Sequence, residues 1–496
     1  MRRNKFSPFI AGLILCIVAT AGCNQAKEPT TASADSGKIP ITTKSDEAKK
    51  EFLQGRDFSE KLQAQDSLEH FNKAVSLDPD FATAELALAN NAPTAKEFFN
   101  HLNKAVSLAD KASESEKLLI LSNQAATNGD VIKQKDYLDK LIAANPNDER
   151  VHFNIGGYYF GQQDYAKAIE HYKKATELAP NYSPAYNILG YAYRQQADYS
   201  GAEQAFKKYI ELIPNDPNPY DSYGELLLKM GRFDDSIVQY RKALSIDPHF
   251  VPSHFGIAAD LMYLNKADEA QAELAKMAEA ARNDGEIRTA YFGMAVVASD
   301  SGKFDKALQA MDKEYAVAEK KNDAASMAAD LQAKGNIQAE MGKYDVAAQT
   351  FDRSLKMIAS SDLSKEIKDN AELQHHFNLA GLAIGKKDFA SAKAHSEKYR
   401  RGAEVSKNPA QLKLAHELEG RIALAQKDYD KAISALEQAN QQDPRNLLRL
   451  SEAYKAKGDN DKAKDYCKKA ADFNSLPALN YAFVRVKAQK TAGNKA

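Results

Sequence analysis

The sequence predicts an all-α solenoid, a stack of helix–turn–helix units, and three observations predict it. The first is internal repetition. "DYAKAIEHYKKATELAP", ending at Pro180, returns as "DYSGAEQAFKKYIELIP" ending at Pro214 and as "RFDDSIVQYRKALSIDP" ending at Pro248, an interval of 34 residues. Gly156, Gly190 and Gly224 keep that interval, as do Ala168, Ala202, Ser236 and Ala270. The second is apolar periodicity. His152, Ile155, Gly156 and Tyr159 form one helical stripe, and Ala168, Tyr172 and Ala175 form another. The third is punctuation: "GQQD" parts the two stripes, and "LAPN" ends the second because a residue before proline avoids the helical region. A helix pair of this kind cannot bury its apolar stripes alone and must stack on copies of itself. The prior of about three compact domains for 496 residues gives way to a single array.

The N-terminus has a different character. "MRRNK" is a basic head, Phe9–Ala21 is an apolar run of 13 residues, and "TAGC" brings small residues up to Cys23. That layout predicts a secretory signal over residues 1–22, too short to span a bilayer. Without Arg2, Arg3 and Lys5 the net charge moves from -1 to -4, which gives no footprint for nucleic acid. Ala21-Gly22-Cys23 resembles the lipobox of bacterial lipoproteins, although Thr20 stands where that family most often has Leu. The resemblance implies diacylation of Cys23 and a lipid anchor in the cell envelope. Asn24, in place of Asp, implies the outer membrane, facing the periplasm. Of three cysteines, Cys16 leaves with the signal and Cys23 carries lipid, so Cys467 remains alone as a core residue and no disulfide is available. Residues 23–45 are poor in apolar residues and predict a flexible tether with a reach of roughly 25 Å.

The repeated unit resembles the tetratricopeptide repeat. Tyr186, Leu189, Gly190, Tyr193, Ala202, Phe206 and Pro214 fall at its fixed offsets, with His or Tyr replacing the leading Trp in a chain that has no Trp. The resemblance implies a right-handed superhelix of about twelve repeats starting near Ala48, with a concave groove on the first helices where peptides bind. The copy near Ala82 is degenerate, and beyond Val251 the intervals lengthen to 37, 40, 45 and 40 residues before falling to 31. Residues 46–283 are therefore expected as a strict array and 284–475 as a looser one, hinged near "AARNDGEI". Residues 476–496 are expected as a capping helix with a basic tail.

Motifs that suggest chemistry fail on spacing. "HELEG" at His416–Gly420 lacks the second histidine of a zinc-protease motif. "GLAIGKKD" from Gly381 has three residues between its glycines where a phosphate loop needs four. His375 and His376 are adjacent, so on a helix they point about 100° apart. No catalytic residue, metal or cofactor is expected.

The aromatics carry more information. Between Val151 and Tyr263 stand 20 of the chain's 44 Phe and Tyr, and most fall at core positions of the repeat. Phe153, Phe160, Tyr191, Phe255 and Tyr263 are left over on a second stripe of the first helix, with Arg194 and Met262 beside them. Two roles are open to them, packing against neighbouring helices or the concave groove that the resemblance implies, and they are expected to hold the partner in that groove. The expected function is a non-catalytic adaptor on an envelope membrane, binding a protein or peptide and not nucleic acid. The alternative is a carbohydrate- or peptidoglycan-binding protein that stacks the same aromatics on sugar rings.

Overall fold

The computed structural model describes residues 37–493. The signal region, Cys23, the first part of the expected tether and residues 494–496 lie outside the described residues. Among the described residues there is no strand. Packing divides them into two units, one ending at Leu226 and one beginning at Leu227. The boundary expected at 283/284 does not appear. Leu274 and Met277 on one side of it share a single buried cluster with Ala290 and Ala295 on the other.

In the first unit α1 (Asp46–Glu60) packs on α2 (Ala64–Leu77), and α3 (Ala82–Asn91) on α4 (Ala95–Leu108). The series continues with α5 (Glu114–Thr127) on α6 (Val131–Ala144), α7 (Glu149–Gly161) on α8 (Tyr165–Leu178), and α9 (Ser183–Gln195) on α10 (Tyr199–Leu212). The division falls within α11 (Pro217–Lys229).

In the second unit α12 (Phe233–Ile246) is followed by the pairs α13 (Val251–Tyr263) with α14 (Ala267–Ala280), and α15 (Asp284–Asp300) with α16 (Phe304–Lys320). Then come α17 (Ala324–Glu340) with α18 (Tyr344–Ala359), and α19 (Lys365–Gly385) with α20 (Phe389–Ser406). The last pairs are α21 (Pro409–Ala425) with α22 (Tyr429–Gln438), and α23 (Pro444–Ala456) with α24 (Asn460–Ala471). Two short helices close the chain, α25 (Leu479–Ala482) and α26 (Arg485–Ala492).

The 34-residue signature has a steric origin. A Cβ on Gly156 would stand 2.5 Å from the Tyr172 ring, and one on Gly190 would stand 2.7 Å from Phe206. Both rings are buried, so neither can retreat cheaply. Glycine on the first helix and an aromatic on the second are thus one contact written at two positions. Several second helices start on aspartates, and Asp130, Asp164 and Asp198 accept the backbone N–H three residues on. The irregular intervals also have an explanation: α15 to α21 run to 16–21 residues where α7 to α14 have 13 or 14. The insertions lengthen helices by about a turn.

Most turns between paired helices hold one left-handed residue. Gly231, Gly302 and Gly342 supply it without strain, but Ala197 holds φ 60 with a Cβ. Left-handed backbone costs an L-residue roughly 1–2 kcal/mol. Ala197→Gly is therefore expected to stabilise the first unit by about 0.5–1 kcal/mol, after the entropy lost to glycine. Chemical denaturation of the two proteins measures it.

The chain's end does more than cap α24. α26 packs on α24, while α25 packs on α15 and α23. Tyr481 is buried between Phe473 and Tyr263, with ring centroids 5.6 and 5.7 Å away, and its hydroxyl donates to the Ala471 carbonyl at 2.6 Å. Cys467 is buried in the same region.

Candidate binding surface

The leftover aromatic stripe lies mostly in the core, which corrects the groove assignment. Phe255 is 1% exposed and packs toward α15, where a Cβ on Gly293 would come within 2.8 Å of its ring. Met262 is 2% exposed in the same cluster. Tyr263 is covered by the C-terminal segment, its hydroxyl donating to the Ser475 carbonyl. Phe153 is buried against Tyr172 and Tyr182, with both ring centroids at 5.7 Å. Phe160 is half-buried and meets Tyr165 edge-on at the turn. The physical reason is that a first helix packs on two sides, against its own partner and against the next first helix. On α13 every residue is buried except Pro252 and His254, so a second apolar stripe there is core.

Tyr191 and Arg194 belong to a polar network. The Tyr191 hydroxyl donates to Glu225 Oε2 at 2.8 Å, and Arg194 pairs with Glu225 Oε1 at 3.0 Å while lying 4.7 Å from the Tyr191 ring centroid. This network ties α9 to α11 and is one part of a polar row that sequence reasoning missed.

The rest of the row comes from α1, α7 and α9. Glu60 is largely buried, and burial pushes its carboxyl up to about 8 against the pull of Arg150 and Arg56. Burial, with Arg150 next in weight, brings the Arg56 guanidinium down to about 10. Arg150 bonds Glu149 at 2.5 Å and lies 5.6 Å from the Tyr182 ring centroid. Gln63, just past α1, donates to Asp216 Oδ2 at 3.0 Å, across 153 residues of sequence. Arg150 Nε, Asn154 Oδ1, Asn187 Oδ1 and the Glu60 Oε1 oxygen are buried without a protein partner, a concentration that buried polar atoms rarely show. The available signal was Asn154 and Asn187, amides set among the apolar residues of first helices. A cavity of about 510 Å³ opens beside this row, walled by Arg56, Arg150, Asn91, Phe52, Leu86 and Leu119.

In the second unit Asp260 is buried on α13, and desolvation raises its carboxyl to about 8. A carboxyl raised above its unfolded value binds a proton in the folded state between roughly pH 4 and 8. Its stabilising share is complete below the unfolded value and is lost as pH rises through about 8. Asp260→Asn keeps the shape without the charge. The gain of the variant over the wild type is expected to be larger at pH 9 than at pH 6 by at least about 1 kcal/mol, read from denaturation at both values.

Among the described residues no three His, Cys, Asp or Glu side chains converge as a metal site, and no helix is long and apolar enough to cross a membrane.

Stacked helix pairs with glycine–aromatic contacts and a polar row on the first helices define an α-solenoid of the helix–turn–helix repeat class. A sequence profile of the tetratricopeptide repeat matches residues 147–215, and a second profile of that repeat matches 227–292 and 423–478. The chain is a tetratricopeptide-repeat protein. No curated protein sequence matches it. Among solved structures, that of MamA protein is 26% identical, covering 34% of this chain and 91% of its own, with a TM-score of 0.28. YrrB, described as a TPR protein with an unusual peptide-binding site, is 21% identical over 36% and 91%, with a TM-score of 0.25. The APC/C hetero-tetramer Cut9-Hcn1 is 15% identical over 85% and 76%, with a TM-score of 0.41.

Proposed function

We propose that this chain is a non-catalytic interaction scaffold that holds a protein or peptide on the first helices of its N-terminal unit. The observation that carries the reading is the buried polar row, short of hydrogen-bond partners at Glu60, Arg150, Asn154 and Asn187 and reaching a cavity at Arg150. Burial of such groups is costly unless something bonds them, and a bound main chain or polar side chain does so. The carbohydrate alternative is the weaker one, because Phe153, Tyr191, Phe255 and Tyr263 are buried and Phe160 alone of the stripe's aromatics is half-exposed.

The reading includes a membrane address. Cys23, in its lipobox-like setting, carries acyl chains and anchors the scaffold in a bacterial envelope, at the outer membrane facing the periplasm. Two or more chains suffice for stable anchoring. Intact-mass measurement of detergent-extracted protein is expected to show acyl mass on a chain that starts at Cys23, and Cys23→Ala is expected to release it into the soluble fraction. An unmodified soluble wild type overturns the anchor.

The scaffold is tested separately. A photo-crosslinking residue at Leu53, which lines the cavity, is expected to trap a discrete partner in envelope preparations. The same probe at Val238, exposed on the outer helix α12, is expected to trap none. Equal labelling from both positions counts against the surface.

A further inference from the structure

Residues 38–44 read "KIPITTK", and they lie across the α2–α3 turn and the starts of α5 and α7. The Ile39 N–H donates to Asp148 Oδ2 at 2.8 Å, and the Thr42 N–H donates to Glu116 Oε1 at 2.9 Å. The Lys44 N–H and the Thr43 hydroxyl both donate to Asp78 Oδ2, at 2.9 and 2.6 Å. Lys38 pairs with Glu149 at 3.0 Å and Lys44 with Asp80 at 2.8 Å. Ile39 and Ile41 pack on two different core clusters and also border the cavity.

The three receiving carboxylates exist for another reason. Asp148 uses Oδ1 to cap α7 through the Arg150 N–H, and Asp78 uses Oδ1 to close its own turn at the Asp80 N–H. Glu116 spends Oε2 on Ser113 in the capping box of α5. In each case the second oxygen still accepts, Glu116 Oε1 also taking the Thr83 hydroxyl at 3.3 Å, so carboxylates at successive repeats set out a row of acceptors. Those acceptors read mainly backbone, with the Thr43 hydroxyl added at Asp78. Selectivity comes from the two isoleucine positions and from the cations at either end. None of residues 38–44 is fully buried, so the segment sits on this surface without being part of the core.

We propose that residues 38–44 are a self-ligand of the N-terminal unit, and that the surface takes from a partner an extended peptide of the same chemistry. Such a peptide carries β-branched apolar side chains two residues apart and a lysine at each flank, and it displaces the self-ligand on binding. This rests on the peptide-binding reading above and adds to it the ligand class and the competition. A covalently attached competitor acts at an effective concentration on the order of 1 mM, so a free peptide with Kd of about 10 μM is weakened roughly a hundredfold.

The test uses full-length protein and a labelled synthetic peptide with the sequence of residues 37–45. Ile39→Asp/Ile41→Asp protein is expected to bind it at least about tenfold more tightly than the wild type, by fluorescence anisotropy. A peptide with aspartate at both isoleucine positions is expected not to bind. Equal affinity of wild type and variant overturns the proposal. Because both isoleucines touch the core, a second measurement on the unmodified chain decides independently. Saturating peptide is expected to abolish the amide-exchange protection of Ile39, Thr42 and Lys44, and unchanged protection overturns displacement. If the peptide fails while the Leu53 crosslink persists, the self-ligand falls and the scaffold stands.

Discussion

Arg485→Ala is expected to destabilise the C-terminal unit by about 3–5 kcal/mol. Arg485 donates to Asp300 through Nε at 2.7 Å and through Nη2 at 2.5 Å, a bidentate pair whose side chains are 3% and 4% exposed. Nη2 also reaches Asn265 at 3.3 Å, and the guanidinium lies 5.8 Å from the Tyr263 ring centroid. Truncation leaves the Asp300 carboxylate buried at the end of α15 with its bidentate partner gone, and that stranded charge is the source of the cost. Arg485→Lys should recover little, since an ammonium cannot reproduce the planar fork. Replacing both partners, as Arg485→Met with Asp300→Leu, should recover part of the loss because no stranded charge remains. The damage should be local: amide exchange is expected to rise over residues 473–492 and along α15, which the segment ties down. A loss under about 1 kcal/mol would mean that this pair does not hold the segment.

This contact also marks a limit of what could be read in the sequence. Repetition, helix pairing and the turn positions were all visible, because each is local or recurs at one interval, while the contact of Gly190 with Phe206 was visible only as two recurring positions. The longer helices from α15 to α21 were visible only as irregular spacing. The Arg485–Asp300 pair spans 185 residues, and nothing in the string "FVRVKAQK" identifies its partner. The N-terminal unit poses the same problem. "KIPITTK" is polar enough to be read as tether, and its contacts depend on carboxylates 34 to 109 residues away that were legible only as caps. The polar row was half legible. Asn154 and Asn187 stand out on apolar helices, but Arg56 and Glu60 lie in the first copy, where the pattern is weaker.

The aromatic stripe was misplaced for a geometric reason, and the consequence can be measured. Phe255→Ala is expected to cost about 3–5 kcal/mol, because a 1% exposed ring seated against Gly293 and Leu274 leaves a cavity when removed. Gly293 has room for that ring only by lacking a Cβ, so the neighbours cannot collapse inward without moving α15. Tyr191→Ala should cost a comparable amount in the other unit. It removes a ring 5.2 Å from Phe206 and also strips Glu225 of a hydroxyl donor. A groove residue would behave in the opposite way, leaving the melting temperature in place and weakening partner capture. Repeats couple mainly to their neighbours, so each substitution should unfold its own unit earlier and leave the other near its wild-type midpoint. Two transitions resolved by calorimetry, shifted one at a time, would confirm that these aromatics hold repeats together. Unchanged melting with lost Leu53 crosslinking would return Tyr191 to the binding surface.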